Sequence, residues 1–288
     1  MNNNEWPLVF FTILSQLSLG IILSGLVLWF SVKESHPPAV AELRRLIITI
    51  AMGSMGIALI LSFLHLASPL HSVYALSNTG TSWLSREIIL ASMFFVSLFL
   101  CFTSMRYNVP HRDMISYLYL ASLIVGVFYV WSMSKLYMIP TVPAWNTPAT
   151  AVTFFNTALL LGAGVVMIIV AISARTGTAE MNRQLHTVLF MLIAASVFIH
   201  LANVLWLKPD LLTTAGSFPP PELPAWIKAG QAIFLMIGFS ILTYWFAFLL
   251  PKTGGDVSVL VYVAFGCLLL ASIAERYLFY ASYYRIGI

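Results

Sequence analysis

Eight stretches of this chain are too long and too apolar to lie anywhere but in lipid, near 7–30, 46–67, 87–106, 114–137, 150–173, 186–207, 226–250 and 257–281. The hydrocarbon core of a bilayer is about 30 Å thick and a helix rises about 1.5 Å per residue, so about 20 residues make one crossing. Lipid offers no hydrogen bonds to a bare backbone, which leaves helices and closed barrels as the structures that can cross. Alternating segments of strand length are absent. The expected fold is therefore all-α: one bundle of eight transmembrane helices over residues 1–288, with both termini on the same side.

Composition closes off the soluble alternative. Charged residues make up 8% of the chain and hydrophobic residues 60%, whereas a soluble domain carries about 25% charged residues. Too little polar surface exists to cover the apolar mass. The net charge of +4 comes from Lys and Arg scattered between apolar runs, with no basic block. It points to no nucleic-acid partner; in a membrane protein such charges chiefly set orientation.

Proline marks the connections. His36-Pro37-Pro38 breaks the first, Pro69 ends the second span, and Pro110 separates the third from the fourth. Pro140, Pro143 and Pro148 fill the next loop, Pro219, Pro220, Pro221 and Pro224 crowd the loop before span seven, and Pro251 with Gly254-Gly255 separates the last two spans. Proline stops helices because it lacks the N–H donor and clashes with the preceding turn.

The connections after odd-numbered spans hold Lys33, Arg44, Arg45, Arg106, Arg112, Arg175, Arg183 and Lys252, and the opposite side holds Arg86, Lys135, Lys208, Lys228, Arg276 and Arg285. The first connection carries three of these charges and the N-terminus none. Since the first helix usually dominates, the termini are expected outside: periplasmic, for a protein of the bacterial inner membrane. The N-terminus lacks the positive region of a signal peptide, so the first run is expected to stay as a helix. The outer connections 68–86, 138–149 and 208–225 are longer than the inner 107–113 and 174–185, and long loops on a compact bundle are often functional. Gly53, Gly56, Gly162 and Gly164 suit close helix packing. No internal repeat is obvious in the sequence.

Few groups could carry chemistry. Cys101 and Cys267 each lie alone in an apolar run; two thiols cannot ligate an iron–sulfur cluster, and no metal spacing is present. An ionisable group in lipid costs about 2.5–3.5 kcal/mol at the bilayer centre, so each one asks for a reason. His65 lies near the outer end of span two and Glu87 opens span three, joined by one outer loop. An imidazole and a carboxylate at one depth can together accept protons and hydrogen-bond an oxygen. The plainer alternatives are a Glu87 favoured by free N–H groups in a first turn capped by Ser85, and an interfacial His65.

Ser196, His200 and Asn203 form a polar stripe on span six, read first as interhelical hydrogen bonding. A haem held by His65 and His200 is the sharper alternative; His186 lies toward the other face, and His36, His71 and His111 fall in connections. Gln16, Lys135, Tyr137, Glu275 and Arg276 complete the polar groups near the outer side, with Arg276 and Tyr280 sharing a helix face. A transporter, the third reading, usually places charges near the midplane, where this sequence has almost none.

From His65 and Glu87 outward the sequence resembles a known family. The stretches that carry the likeness are Glu5-Trp6-Pro7-Leu8, His65-Leu66-Ala67-Ser68-Pro69, Gly80, Ser82, Leu84-Ser85 and Glu87-Ile88. They continue with Val130-Trp131, Met133, Tyr137, Thr141-Val142-Pro143, Trp145, Thr147-Pro148, Arg276 and Phe279-Tyr280. These resemble the membrane anchor subunit of bacterial dimethyl sulfoxide reductase, among the eight-helix quinone-binding anchors of molybdenum oxidoreductases. In span eight the family's acidic residue lies one turn earlier, where this protein has Ser272 and sets Glu275 beside Arg276.

The resemblance implies a menaquinol-oxidising anchor for anaerobic respiration. His65 and Glu87 would form the quinol site; from the residues themselves, Arg86 is expected to tune Glu87 by proximity, and Gln16 and Tyr137 to orient the ring. No haem and no metal would sit on this subunit. Electrons would pass to a four-cluster iron–sulfur subunit, and then to a catalytic subunit with a molybdenum bis-pterin guanine dinucleotide centre.

Overall fold

The structure is a computed structural model that describes residues 6–31, 37–65, 79–107, 112–173, 179–207, 223–253 and 259–285. Eight helices are long and apolar enough to cross a membrane. They are α1 (Trp6–Ser31), α2 (Pro37–His65), α3 (Trp83–Arg106), α4 (Arg112–Tyr137), α5 (Pro148–Ser173), α6 (Ala179–Ala202), α7 (Ala225–Tyr244) and α8 (Val259–Ala281). Among the described residues there are no strands. The start of α1 and the end of α8 share one end of the bundle, called here the terminal face.

Several helices begin earlier than hydropathy alone suggests. α2 starts at Pro37 rather than near residue 46, because prolines are welcome in a first turn, where the N–H has no helical partner anyway. Pro37 and Pro38 therefore open the helix rather than break a loop. α3 starts at Trp83, and Ser82, not Ser85, is its cap: the Ser82 hydroxyl accepts from Ser85 N–H at 3.4 Å. Glu87 consequently lies beyond the first turn, where helix-end N–H groups no longer reach it.

Two helices widen before a proline. α6 runs on through a π-helical turn at Asn203–Leu207, and α7 through another at Trp245–Leu249 followed by Leu250–Thr253. In the second, Leu250 N–H bonds Trp245 O, five residues back. The wide turn eases the helix past Pro251, which has no N–H to give and a ring that presses on the turn before it. Pro251 thus sits inside the helical end, and the break before α8 comes after Thr253.

The helices form two halves of four with the same internal plan. In each half the first helix packs along the second, the third along the fourth, the second also meets the third, and the fourth closes on the first. α1 and α5 are the inner members, running in the same direction and packed along each other. In each of them 72% of the residues in the apolar window are buried, against 28 to 39% in the other six. A helix apolar all round belongs inside; the outer six turn faces such as Ile57, Ile60, Phe99, Phe198 and Phe248 to the lipid. The two halves thus share one neighbour plan, with corresponding helices running in the same direction, a parallel repeat of a kind known in membrane bundles, and no sequence likeness announces it.

Where α1 crosses α5 the backbones nearly touch. A Cβ on Gly20 would fall 1.8 Å from Ala158 O, and one on Gly162 would fall 2.0 Å from the Gly20 carbonyl carbon. Between lipid-immersed helices, close packing of small residues replaces the hydrophobic drive of water. Gly164 packs against the ring of Phe265, Gly56 makes ordinary contact with Phe95, and Gly53 faces open space. Of the four glycines singled out in the sequence, Gly162 joins the halves, and Gly20 is its unforeseen partner.

Candidate functional site

Polar side chains gather on the terminal-face side of the Gly20–Gly162 crossing. Arg276 of α8 is 1% exposed and lies at the centre. Its Nη2 donates to Gln16 Oε1 at 2.7 Å and to Thr157 Oγ1 at 3.4 Å. The guanidinium stands 3.9 Å from the centre of the Phe154 ring and 5.5 Å from that of Phe279. Such stacking is worth about 2 kcal/mol when the cation is desolvated. Among the described residues its Nε and Nη1 have no hydrogen-bond partner. Gln16 donates its own amide to Met133 Sδ at 3.7 Å.

A pair of phenols lies beside this centre. Tyr280 donates to Tyr137 across 3.0 Å and lies 3.4 Å from Thr12 Oγ1. Tyr137 is further boxed in by edge contacts with Trp145 and Phe279. The loop before α5 reaches into the same group. Trp145 stacks on Phe279 at 5.1 Å, and its indole N–H donates to Phe279 O at 2.8 Å. Successive turns from Ile139 to Thr147 fold this loop down over the end of the bundle. This connection is therefore an ordered cap; most of connections 68–86 and 208–225 lies outside the described residues.

Glu87 is 5% exposed on α3, one helical turn inside the bundle. Among the described residues its carboxylate makes neither an ion pair nor a hydrogen bond. Tyr129, Tyr137 and Tyr280 are near enough to feel its charge. Arg86, its neighbour, is exposed and donates to Thr79 O at 2.9 Å and Gly80 O at 2.6 Å, lying over the Trp83 ring. His65 is the last residue of α2; its side chain lies outside the described residues.

The polar stripe of α6 bonds its neighbours, as the plainer sequence reading has it. Ser196 donates to Asn156 Oδ1 at 2.7 Å, and Asn203 to Thr153 Oγ1 at 2.8 Å. His200 meets Glu275 of α8, with Nδ1 3.3 Å from Oε1 and both side chains 12% exposed. Glu275 thus stays within the second half while Arg276 bridges both, through Gln16 of α1 and Thr157 of α5, since neighbours on a helix point apart. The helices that carry His65 and His200 do not come together: α2 packs chiefly on α1 and α6 chiefly on α5, with the α1–α5 pair between them. Among the described residues no three His, Cys, Asp or Glu side chains converge as a metal site would need.

Seen against known proteins, the same residues fall into one group. The model of the family described as DMSO reductase anchor subunit (DmsC) matches residues 1–282. The chain belongs to the DMSO reductase anchor subunit family. It is 32% identical over 207 residues to the YnfH subunit of an anaerobic dimethyl sulfoxide reductase of Escherichia coli K12, an overlap of 71% of this protein and 68% of the relative. It is 31% identical over 163 residues to the C subunit of the same organism's anaerobic dimethyl sulfoxide reductase, an overlap of 55% of each. To the C subunit of the Haemophilus influenzae enzyme it is 26% identical over 159 residues, 55% of this protein and 56% of the relative. As a DMSO reductase anchor it is an integral membrane protein, and an anchor implies catalytic and iron–sulfur partner subunits.

The polar side chains of this DMSO reductase anchor thus gather in a buried seam shared by α1, α4, α5 and α8, with Glu87 of α3 alongside. Gln16 and Tyr137, picked out in the sequence, lie in it, and so does Arg276, noted there for sharing a face with Tyr280. Thr12, Thr157 and Phe154 were not foreseen, because nothing in their own spans marks a threonine or phenylalanine as a partner of a residue more than a hundred positions away.

Proposed function

We propose that this anchor binds menaquinol near the ends of α2 and α3 at the terminal face, oxidises it, and hands the electrons to an iron–sulfur subunit of a molybdenum S- or N-oxide reductase in anaerobic respiration. The observation that carries the reading is Glu87, a carboxylate buried within a membrane span with no ion pair among the described residues. A membrane protein keeps such a costly group for a task.

Oxidation of a quinol to a quinone releases two protons and two electrons. Glu87 would take or relay one proton, and His65, at the adjoining end of α2, would accept a hydrogen bond and a proton from one hydroxyl. Tyr137 and Gln16 hold the wall behind, fixed by Tyr280 and Arg276. The Arg276 charge and the row of phenols keep that wall polar in a dry setting, where water cannot compete for the ligand's oxygens. Arg86, held by the Thr79 and Gly80 carbonyls and lying over the Trp83 ring, would meet the ligand's rim.

The two electrons need an acceptor from a partner, since among the described residues no metal-ligating cluster is present to store them. The reading gives that role to a four-cluster iron–sulfur subunit docked on the terminal face, and the terminal reduction to a molybdenum bis-pterin subunit. The relatives' name, dimethyl sulfoxide reductase, suggests the terminal substrate. The termini would then face the periplasm, as the charge of the first connection suggests.

The test uses membranes containing the assembled complex and a fluorescent quinol-analogue inhibitor. Saturable quenching should be present with the native anchor and markedly reduced in Glu87→Gln and His65→Ala, with assembly intact by co-purification of the partners. Unchanged binding in both variants would move the pocket away from α2 and α3 and end this assignment.

A further inference from the structure

The second half holds a cavity that the reading above does not use. It encloses about 510 Å³ between α5, α6, α7 and α8. Pockets of 300–1,000 Å³ with mostly apolar walls and a few polar groups are the usual size and character of small-molecule sites. The polar groups here are His200 and Glu275, already paired, with Lys228 and Gln231 on α7 and Thr153 on α5. Thr147, Thr150 and Ser282 add hydroxyls toward the terminal face, and the rest of the wall is apolar. Leu201, Val204 and Met236 line it while being 44 to 55% exposed on the outside of the bundle. Its mouth therefore opens to the lipid between α6 and α7, a pair that touches only sparsely.

The repeat gives this cavity a position. Helix for helix, α6 corresponds to α2, α7 to α3 and α8 to α4. His200 lies two residues before the π-helical extension that carries α6 on to Leu207, and His65 is the last residue of α2. Lys228 is the fourth residue of α7, as Arg86 is the fourth of α3. Each half thus sets an imidazole toward the terminal-face end of its second helix and a cation in the first turn of its third. In the first half the acid stands on the third helix, as Glu87; in the second it stands on the fourth, as Glu275.

We propose that this cavity is a second binding site for a quinol-class ring, a neutral aromatic amphiphile with a hydroxyl at each end. The proposal rests on the reading of the first half as a quinol site, which it extends by the repeat. The chemistry of the walls selects the ligand. The His200–Glu275 pair offers acceptors for a hydroxyl proton, and Lys228 and Gln231 offer donors to an oxygen on the α7 side. A phosphate headgroup would have to sit against the Glu275 carboxylate, which disfavours it. A ring with an apolar tail matches the apolar wall and can leave its tail in the lipid through the gap between α6 and α7.

The experiment counts sites. The assembled complex, stripped of native quinone and placed in lipid nanodiscs, is titrated with the fluorescent quinol analogue. The native complex should bind two equivalents. Ala232→Phe, which fills the cavity from α7 without touching the ion pair, should leave one; Glu275→Gln should weaken the same equivalent at least tenfold. Glu87→Gln should remove the other. One equivalent in the native complex, lost in Glu87→Gln and kept in Ala232→Phe, overturns the second site and leaves the first standing. One equivalent kept in Glu87→Gln and lost in Ala232→Phe upholds this site and ends the assignment in the first half. Displacement from the Ala232-sensitive site by anionic phospholipid but not by quinol also overturns the proposal, in favour of a lipid headgroup.

Discussion

Replacing Gln16 by Leu strips Arg276 of its shortest hydrogen bond, the one at 2.7 Å, and leaves it Thr157 at 3.4 Å and the face of Phe154. A hydrogen bond to a charged group contributes about 1.5–3 kcal/mol, and breaking a buried pair from one side costs about 3–5 kcal/mol because the charge is left uncompensated. Thr157 and the ring still hold part of that charge, so Gln16→Leu should destabilise the fold by about 2–4 kcal/mol on these scales. Arg276→Met removes the charge with the bond and should cost less, about 1–2 kcal/mol, the stacking term being its main loss. The double variant should then be little worse than Arg276→Met alone. That is a coupling of about 2–4 kcal/mol between two residues on the first and last helices, well above the roughly 0.5 kcal/mol scatter of independent sites. Reversible unfolding in mixed detergent micelles, with the four proteins compared in one cycle, measures it. Additive losses would mean that Arg276 does not depend on Gln16, and the account of the buried seam would be wrong.

Other outcomes follow from the same contacts. Gly20→Leu should drive α1 from α5, since even a Cβ there meets Ala158 O; misplaced bulk in a packed core costs about 1–3 kcal/mol or more, and recovery of folded protein from the membrane should fall sharply. An unchanged yield would refute the close crossing. Trp145→Phe keeps the stack on Phe279 but deletes the indole donor to Phe279 O and Ser282. It should cost about 1 kcal/mol and speed proteolysis within residues 138–147, and equal cleavage rates would count against the loop as an anchored cap. Tyr137→Phe, which removes the acceptor of Tyr280, should cost about 1 kcal/mol by the same unfolding assay while leaving partner subunits bound.

The eight crossings were legible because lipid leaves the backbone no other choice, and 20-residue apolar runs cannot hide in a sequence. Helix starts were not, since lipid dictates only the buried middle. α2 and α3 extend outward on Pro37 and on the Ser82 cap, features read from local chemistry rather than hydropathy. The polar residues that matter were visible one by one: Gln16, Tyr137, Glu275 and Arg276 each stood out as unusual in apolar surroundings. Their partners were not. Glu275 and Arg276 are adjacent in sequence, yet one meets His200 and the other Gln16, and only the packing of α8 between two halves separates them. The inner positions of α1 and α5 were equally hidden. Their mean hydropathies of 1.9 and 2.4 do not stand apart from the 1.8 to 2.3 of the helices that face lipid, because lipid and protein interior demand the same apolar surface.

The inner placement of α1 has a consequence for how the protein is made. Thr12, Ser15, Gln16, Ser18 and Ser24 are buried in the finished bundle, but α1 leaves the ribosome ahead of the other seven helices. α2 follows soon and gives Ser18 a carbonyl partner, Ala51 O. The other helix packed along α1, α5, ends at Ser173, 142 residues after Ser31, and at roughly 5–20 residues per second it follows about 7–28 seconds later. Arg276, the partner of Gln16, comes later still. For that interval the α5-facing side of a helix built for the interior must stand in lipid uncovered. Slowed translation between α2 and α5 would prolong that exposure and give quality-control proteases a longer opportunity than in a bundle whose first helix faces the bilayer.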